Sequence, residues 1–270
     1  MKETLSGKTV LITGSTDGLG LLISEHLAIQ DATVLMHGRN NEKGKLLVDG
    51  LYDQTKNEKL TYYNGDFASL MEVKSLSEKI LNEQQHIDIL INNVGIGSGK
   101  NEREISRDGI ELRFAVNYLS HVLLTEKLLP LLKAGTSNII NVASIGQEAI
   151  DFSNLMLENK YDGFFAYKQS KTALIMYTFD LAEKLKSNDI KVNAIHPASL
   201  MNTKMVLEGW GYSLTKVEQG AEAVENLLFA TTTGEYYDGK KLSKAIPQAY
   251  DPKARAELRS VTWGLLDGFI

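Results

Sequence analysis

Short apolar runs alternate with amphipathic stretches along most of the chain. Lys8 to Thr13, Ala32 to His37, Leu60 to Tyr63, Ile87 to Ile91, Ser137 to Ala143 and Ile190 to Ile195 are rich in Val, Ile and Leu, which predicts strands buried on both faces. Between them the apolar residues fall at helical spacing. Helices are predicted directly after Gly20 (Leu21, Leu22, His26, Leu27), over Lys43 to Tyr52, from near Ser69, over Gly109 to Leu132, from about Ala166 to Ser187 and from Thr215 to Thr231. Tyr236-Tyr237 marks a last short strand, and Asp251 to Leu266 carries a helical tail. Strands alternating with helices predict an α/β fold, a mostly parallel sheet with helices on both faces.

Two connections do not fit the pattern of solvent loops. One, at about 146–165, contains Phe152, Leu155, Met156, Leu157, Tyr161, Phe164 and Phe165, and the other, at 199–213, contains Met201, Met205, Leu207, Trp210 and Tyr212. Exposed apolar surface needs a partner, so both segments are expected to line or cover a substrate cleft, with packing against the tail as the alternative. The chain has 270 residues and no linker-like tract, and it is read as one domain over 1–270. A net charge of -5 argues against a nucleic-acid partner. With no cysteine, disulfides and thiolate metal sites are excluded, and no metal site is predicted. The N-terminus, Met1 to Lys8, is polar, and no apolar run approaches the roughly 18 residues of a membrane span, so a cytoplasmic protein is expected.

Candidate chemistry sits where the predicted strands end. The first strand runs into Thr13-Gly14-Ser15-Thr16-Asp17-Gly18-Leu19-Gly20 and then a helix, the order of a phosphate cradle. Gly14 permits the tight turn, Gly18 lets backbone N–H groups approach a pyrophosphate, and Gly20 lets the helix pack closely on the strand. At the end of the second strand, where an acidic side chain would bond a ribose hydroxyl, stand Gly38 and Arg39. Asp66, after the third strand, either accepts from an adenine amino group or caps the helix that follows. Asn92-Asn93-Val94-Gly95 brings amides and bare backbone to the end of the fourth strand. Asn117 interrupts an apolar helix and is a satisfied core amide, a kink or a functional group; His121 reads as packing. Ser144 ends the fifth strand.

Tyr167 and Lys171 lie four positions apart in a stretch free of Pro and Gly from Phe164 to Ile195, hence one turn apart on one helix face. A phenol ionises near pH ~10, and a neighbouring ammonium is expected to favour the phenolate, making Tyr167 a general acid/base near neutrality.

Taken in order, Thr13-Gly14-x-x-x-Gly18-x-Gly20, Asn92-Asn93-x-Gly95, Asn117, Ser144, Tyr167-x-x-x-Lys171, Asn193 and Pro197 resemble the short-chain dehydrogenase/reductase family over about residues 7 to 240. The stretch from Ser144 to Tyr167 and the segments Gly234 to Gly239 and Gln248 to Pro252 look like its retinol dehydrogenase and protochlorophyllide reductase branch. The resemblance implies a Rossmann-type doubly wound parallel sheet of about seven strands. It implies that Ser144 holds the substrate oxygen, Tyr167 transfers the proton, Lys171 biases that phenol and bonds a nicotinamide ribose, and Asn117 supports a water leading from Lys171 to solvent. The implied dinucleotide contacts are Gly14, Ser15, Thr16, Asp17, Gly18, Leu19, Gly20, Arg39, Asp66, Phe67, Asn93, Gly95, Tyr167, Lys171, Pro197 and Thr203. Val94 and Ala198 depart from the family's Asn-Asn-Ala-Gly and Pro-Gly. With no acid at Gly38 and a guanidinium at Arg39, NADP is the expected cofactor and NAD the second choice, while Asp17 stands where some NADP-specific relatives carry a base. The expected reaction is hydride transfer between nicotinamide and a hydrophobic carbonyl or alcohol. The alternatives are a dinucleotide-binding sensor without turnover and a sugar-nucleotide epimerase. Relatives often form homodimers through the two long helices, at Gly109 to Leu132 and Ala166 to Ser187, and this branch also contains monomers.

Overall fold

The apolar runs form strands that pack on both sides in the computed structural model, which describes residues 4–99 and 101–270. Residues 1–3 and Lys100, within the predicted span 1–270, lie outside that description. β1 (Thr9–Ile12), β2 (Thr33–Gly38), β3 (Leu60–Asn64), β4 (Ile89–Asn92), β5 (Asn138–Val142), β6 (Lys191–His196), β7 (Glu235–Asp238) and β8 (Lys241–Ser243) make one sheet in the order β3-β2-β1-β4-β5-β6-β7-β8. β1 to β7 pair parallel and β8 antiparallel. Successive side chains alternate between two apolar layers. Val10, Ile12, Val34, Met36, Ile89 and Ile91 face one, and Leu11, Leu35 and Leu90 face the other. Helices α1 (Gly18–Ile29), α2 (Asn41–Thr55) and α8 (Val217–Glu225) cover the first layer. Helices α3 (Leu70–Glu83), α5 (Ser120–Leu128), α6 (Gly163–Lys184) and α9 (Pro252–Leu265) cover the second. Each fully buried Leu, Ile or Val contributes roughly 1.5–3 kcal/mol.

Three elements differ from the sequence reading. An eighth strand follows the predicted last one, because Gly239-Lys240 makes a two-residue hairpin turn with Gly239 at φ +57 and returns the chain as β8. Within 199–213, read as irregular, lies helix α7 (Lys204–Trp210), started by Thr203, whose side chain accepts from the Val206 N–H, and stopped by Gly211 at φ +75. The predicted long helix Gly109 to Leu132 is broken: a turn of helix α4 (Leu112–Phe114) passes into a π-helical turn, Ala115–Leu119, before α5. Asn117 sits in that wide turn. The crossovers leave β1 flanked by β2 and β4, so the direction in which strands are added reverses there and the C-terminal strand ends open a crevice.

Candidate active site

The β1–α1 turn closes without room for side chains. Gly14 (φ +67) and Gly18 (φ +50) adopt left-handed backbone, and a Cβ on Gly20 would lie 2.2 Å from the Gly14 carbonyl oxygen. Asn93 braces the same turn, donating through Nδ2 to the carbonyls of Thr13 (2.9 Å) and Gly14 (3.2 Å). Thr13 returns the favour: its hydroxyl accepts from the N–H groups of Asn93 and Val94. Asn93 therefore shapes the cradle. Three other residues predicted as contacts turn their side chains into the protein. Ser15 is buried, with its N–H and hydroxyl bonded to the His37 backbone. Leu19 packs its side chain into the core beside α8. Phe67 is buried with its ring between those of His37 (4.8 Å between centroids) and His121 (5.3 Å). In each case an apolar or backbone partner was available, and burial won.

At the adenosine end of the crevice, Arg39 is exposed and has no ion pair among the described residues. Asp17 caps α1, accepting from the Gly18 N–H at 2.8 Å, and its other oxygen lies 3.6 Å from Lys43 Nζ. Lys43, in the first turn of α2, was not singled out in the sequence, although it stands one turn from Arg39. Gly38 is closely roofed: a Cβ there would lie 2.6 Å from Thr16 Cγ2 and 3.1 Å from the Tyr62 hydroxyl. Asp66 accepts from Ala68 N–H and lies 3.5 Å from Arg107. The cap of α3 is Ser69, not Asp66, with Glu72 reaching back to the Asp66 N–H.

Ser144, Tyr167 and Lys171 converge where β5 ends against α6. Asp162 starts that helix by accepting from the N–H groups of Phe164 and Phe165, placing Tyr167 and Lys171 on consecutive turns. Ser144 Oγ accepts from Gly146 N–H at 3.0 Å, which leaves its own proton to donate. Its carbonyl accepts from Tyr236 and from Gln147, each at 3.0 Å, so the loop after β5 is fixed from two sides. Burial pushes the Tyr167 phenol above its ordinary value, and the Ser144 hydroxyl pulls it back. The ammonium expected to lower it is bonded instead to the Val142 carbonyl (2.9 Å), with Nζ 5.9 Å from the Tyr167 ring centre. Burial also lowers Lys171, to about 8. Gly95 leaves open the space between them and β4: a Cβ there would meet Lys171 Nζ at 3.4 Å and Asn117 Oδ1 at 3.7 Å. The Asn117 amide is fully engaged, accepting from Ile96 N–H (2.8 Å) and donating to the Ile96 carbonyl (3.1 Å) and Ser170 Oγ (3.0 Å). Pro197 follows β6, and Thr203 lies over the cradle, with Cγ2 3.1 Å from the Cβ position of Gly18.

The two apolar segments divide. In 146–165, Ile150, Leu155 and Leu157 are core residues, and Gln248 clasps the Ile150 backbone through two hydrogen bonds, so this segment packs against the C-terminal region. In 199–213, Met201 and Val206 are buried, whereas Met205, Leu207, Trp210 and Tyr212 are exposed. Trp210 meets Phe164 edge-on at 5.1 Å, which joins the two segments.

Residues 8–209 match the family model described as short chain dehydrogenase. The chain belongs to the short-chain dehydrogenase family. Human retinol dehydrogenase 13 is 32% identical over 279 residues, covering 95% of this chain and 84% of that protein. Human retinol dehydrogenase 14 is 30% identical, covering 96% and 86%. These relatives place this short-chain dehydrogenase in the retinol dehydrogenase-like branch, as an NAD(P)-dependent oxidoreductase. Among solved structures, an uncharacterized Mycobacterium paratuberculosis protein superposes with a TM-score of 0.81 at 24% identity, covering 98% of this chain and 95% of that one. Pseudomonas aeruginosa RhlG, solved as an NADP complex, superposes at 0.69 and 24% identity, covering 87% and 95%. Both likenesses concern the fold.

Proposed function

We propose that this short-chain dehydrogenase uses NADP(H) and interconverts a hydrophobic carbonyl compound with its alcohol. The observation that carries the reading is the convergence of Ser144, Tyr167 and Lys171 beside a glycine cradle whose Cβ positions are closed. The residues present fit a dinucleotide: Gly14, Gly18 and Gly20 leave bare backbone for the pyrophosphate, and Thr203, Asn93 and Gly95 bound the crevice toward Lys171. A nicotinamide dinucleotide, when bound, supplies or accepts the hydride. The chain's own groups manage the proton and the oxygen. Ser144 donates its hydroxyl proton to the substrate oxygen, which orients the reacting carbon. Tyr167, a neutral phenol at neutral pH, gives its proton as that oxygen gains negative charge, and takes it back in oxidation. Lys171, cationic below about pH 8, stabilises the charge left on the phenol and would hold the nicotinamide ribose. Asn117 holds the Ile96 backbone, and a water beside it carries the proton between Lys171 and solvent.

The preference for NADP rests on Gly38, Arg39 and Lys43. An acidic side chain at 38 meets Thr16 and Tyr62, so the carboxylate that would repel a 2′-phosphate has no room. Arg39 offers an unpaired fork, and Lys43 offsets Asp17, which otherwise opposes an anion. Retinol dehydrogenases among the relatives, and NADP in solved neighbours, support the substrate class and the cofactor. The exposed apolar residues of 199–213 suit a hydrophobic substrate.

The test follows NADPH absorbance with a panel of aldehydes, ketones and enones. Tyr167→Phe is expected to lose more than nine-tenths of kcat while its NADPH affinity stays within a few-fold, because one proton-carrying hydroxyl is deleted. Arg39→Ala is expected to narrow the NADPH over NADH preference in kcat/KM about ten- to a hundredfold at fixed ionic strength. A Tyr167→Phe enzyme with more than a tenth of wild-type kcat, or a wild type that favours NADH, contradicts the assignment.

A further inference from the structure

His37, at the end of β2, is a residue that neither the glycine turn nor the Tyr-Lys pair accounts for. It is buried, and its two ring nitrogens reach two different crevice turns: Nδ1 takes the Gly14 N–H at 3.2 Å, and Nε2 faces the Gly65 carbonyl at 3.0 Å. A peptide N–H only donates and a carbonyl only accepts. One arrangement satisfies both, a neutral imidazole with its proton on Nε2. Burial keeps it neutral, holding it down to about 4 despite the raising effect of the Gly65 carbonyl and Asp66. The ring also lies tilted against Phe67, which meets His121 as well, and His121 is itself buried and bonded through Nε2 to the Val94 carbonyl at 2.8 Å. A column of His37, Phe67 and His121 thus connects the turns after β1, β3 and β4.

We propose that His37 is a positioning residue for dinucleotide binding: as the Nε2–H tautomer it accepts the Gly14 N–H and so fixes the glycine cradle before any ligand arrives. Gly14 is the pivot of that turn, in left-handed backbone with its Cβ position enclosed by Asn93 and Val94. Without an acceptor its half-buried N–H loses its partner, and the turn can recover the loss by shifting toward water. The shift displaces the backbone that receives the pyrophosphate. Rigidity of the empty cradle converts into affinity, because less ordering remains for the ligand to impose. The proposal rests on the reading of this crevice as a dinucleotide site, deepening it by one residue that the sequence motifs do not contain.

Two substitutions separate positioning from packing. His37→Phe keeps a ring against Phe67 and removes both nitrogens; His37→Asn loses the ring but carries Oδ1 on Cγ, where Nδ1 stood, and retains an acceptor for Gly14. NADPH dissociation constants from quenching of intrinsic fluorescence, and melting temperatures of the free proteins, are measured side by side. His37→Phe is expected to bind about tenfold or more weakly while melting at or above His37→Asn, and His37→Asn to bind within about threefold of wild type. Affinity and stability then rank in opposite order. Nitrogen-15 imidazole spectra of the free wild type are expected to show protonated Nε2 and bare Nδ1 for His37 down to pH 5. A proton on Nδ1, or affinities that simply follow the melting temperatures, overturns the proposal. A wild type that binds neither NADPH nor NADH overturns the dinucleotide reading itself, and the spectra still report whether the tautomer is as inferred.

Discussion

Lys171 illustrates how a residue can occupy its expected position and behave differently there. Its spacing from Tyr167 holds, but the ammonium is buried and bonded to the Val142 carbonyl. Its ordinary value of 10.5 falls to about 8. Between those values the unfolded chain carries a proton that the folded chain does not, so this group makes stability rise as pH rises from about 8 to 10.5. Below pH 8 the folded chain bears the cost of a buried cation. Lys171→Met removes that cost, and its stability relative to wild type is expected to fall by about 2–3 kcal/mol between pH 7 and pH 10. Urea denaturation of both proteins at the two pH values measures the difference. A difference independent of pH means that the ammonium is hydrated in the folded protein. Tyr167, Ser144 and Lys171 were legible as residues. That Lys171 bonds Val142, or that Ser15 and Phe67 face inward, depends on partners distant in sequence.

Among the elements, the β1–α1 unit was the most legible, because its glycines answer a local need. Gly20 shows why: a Cβ there would stand 2.2 Å from the Gly14 oxygen and 2.6 Å from Asn93 Nδ2. Gly20→Ala is therefore expected to push α1 off β1, costing about 1–3 kcal/mol and at least about tenfold in NADPH affinity. Gly50, inside α2, gives the contrast, since a Cβ there meets nothing within 4 Å. Gly50→Ala is expected to stabilise by about 0.5–1 kcal/mol and to leave affinity unchanged. Denaturant midpoints and NADPH titration of the two variants decide it, and equal effects would mean that the cradle is not tightly packed. The π-helical turn at Asn117 was not legible. Its apolar pattern reads as continuous helix, and the widening coincides with bonds from Asn117 to Ile96 and Ser170, which lie on other parts of the chain.

For the whole molecule, the tail decides what the two long helices can do. α9 lies against α6, held by Arg255 and Arg259 on Asp180 (2.7 Å for Arg259), and reaches the π-helical turn through Thr262, whose hydroxyl is 2.7 Å from the Tyr118 hydroxyl. Tyr118 and Leu258 are buried in that packing. Part of the α6 face that the sequence offered as a pairing surface is therefore covered by the chain's own helix. The 270-residue chain is expected to run at the mass of one chain in light scattering after gel filtration at tens of micromolar. A stable dimer that survives Asp180→Arg would show that copies meet elsewhere; one abolished by it would show that α9 yields to a second copy. By itself, the sequence determined the alternation of strand and helix, the glycine cradle and the family, and it singled out Ser144, Tyr167 and Lys171 as candidates, because each follows from local periodicity, backbone sterics or a short ordered spacing. Tertiary structure alone decided the partners: His37 on Gly14, Lys43 beside Asp17, Thr16 and Tyr62 over Gly38, and α9 over α6. These are contacts between segments far apart in sequence, brought together by the order of strands in the sheet, and no local pattern records them.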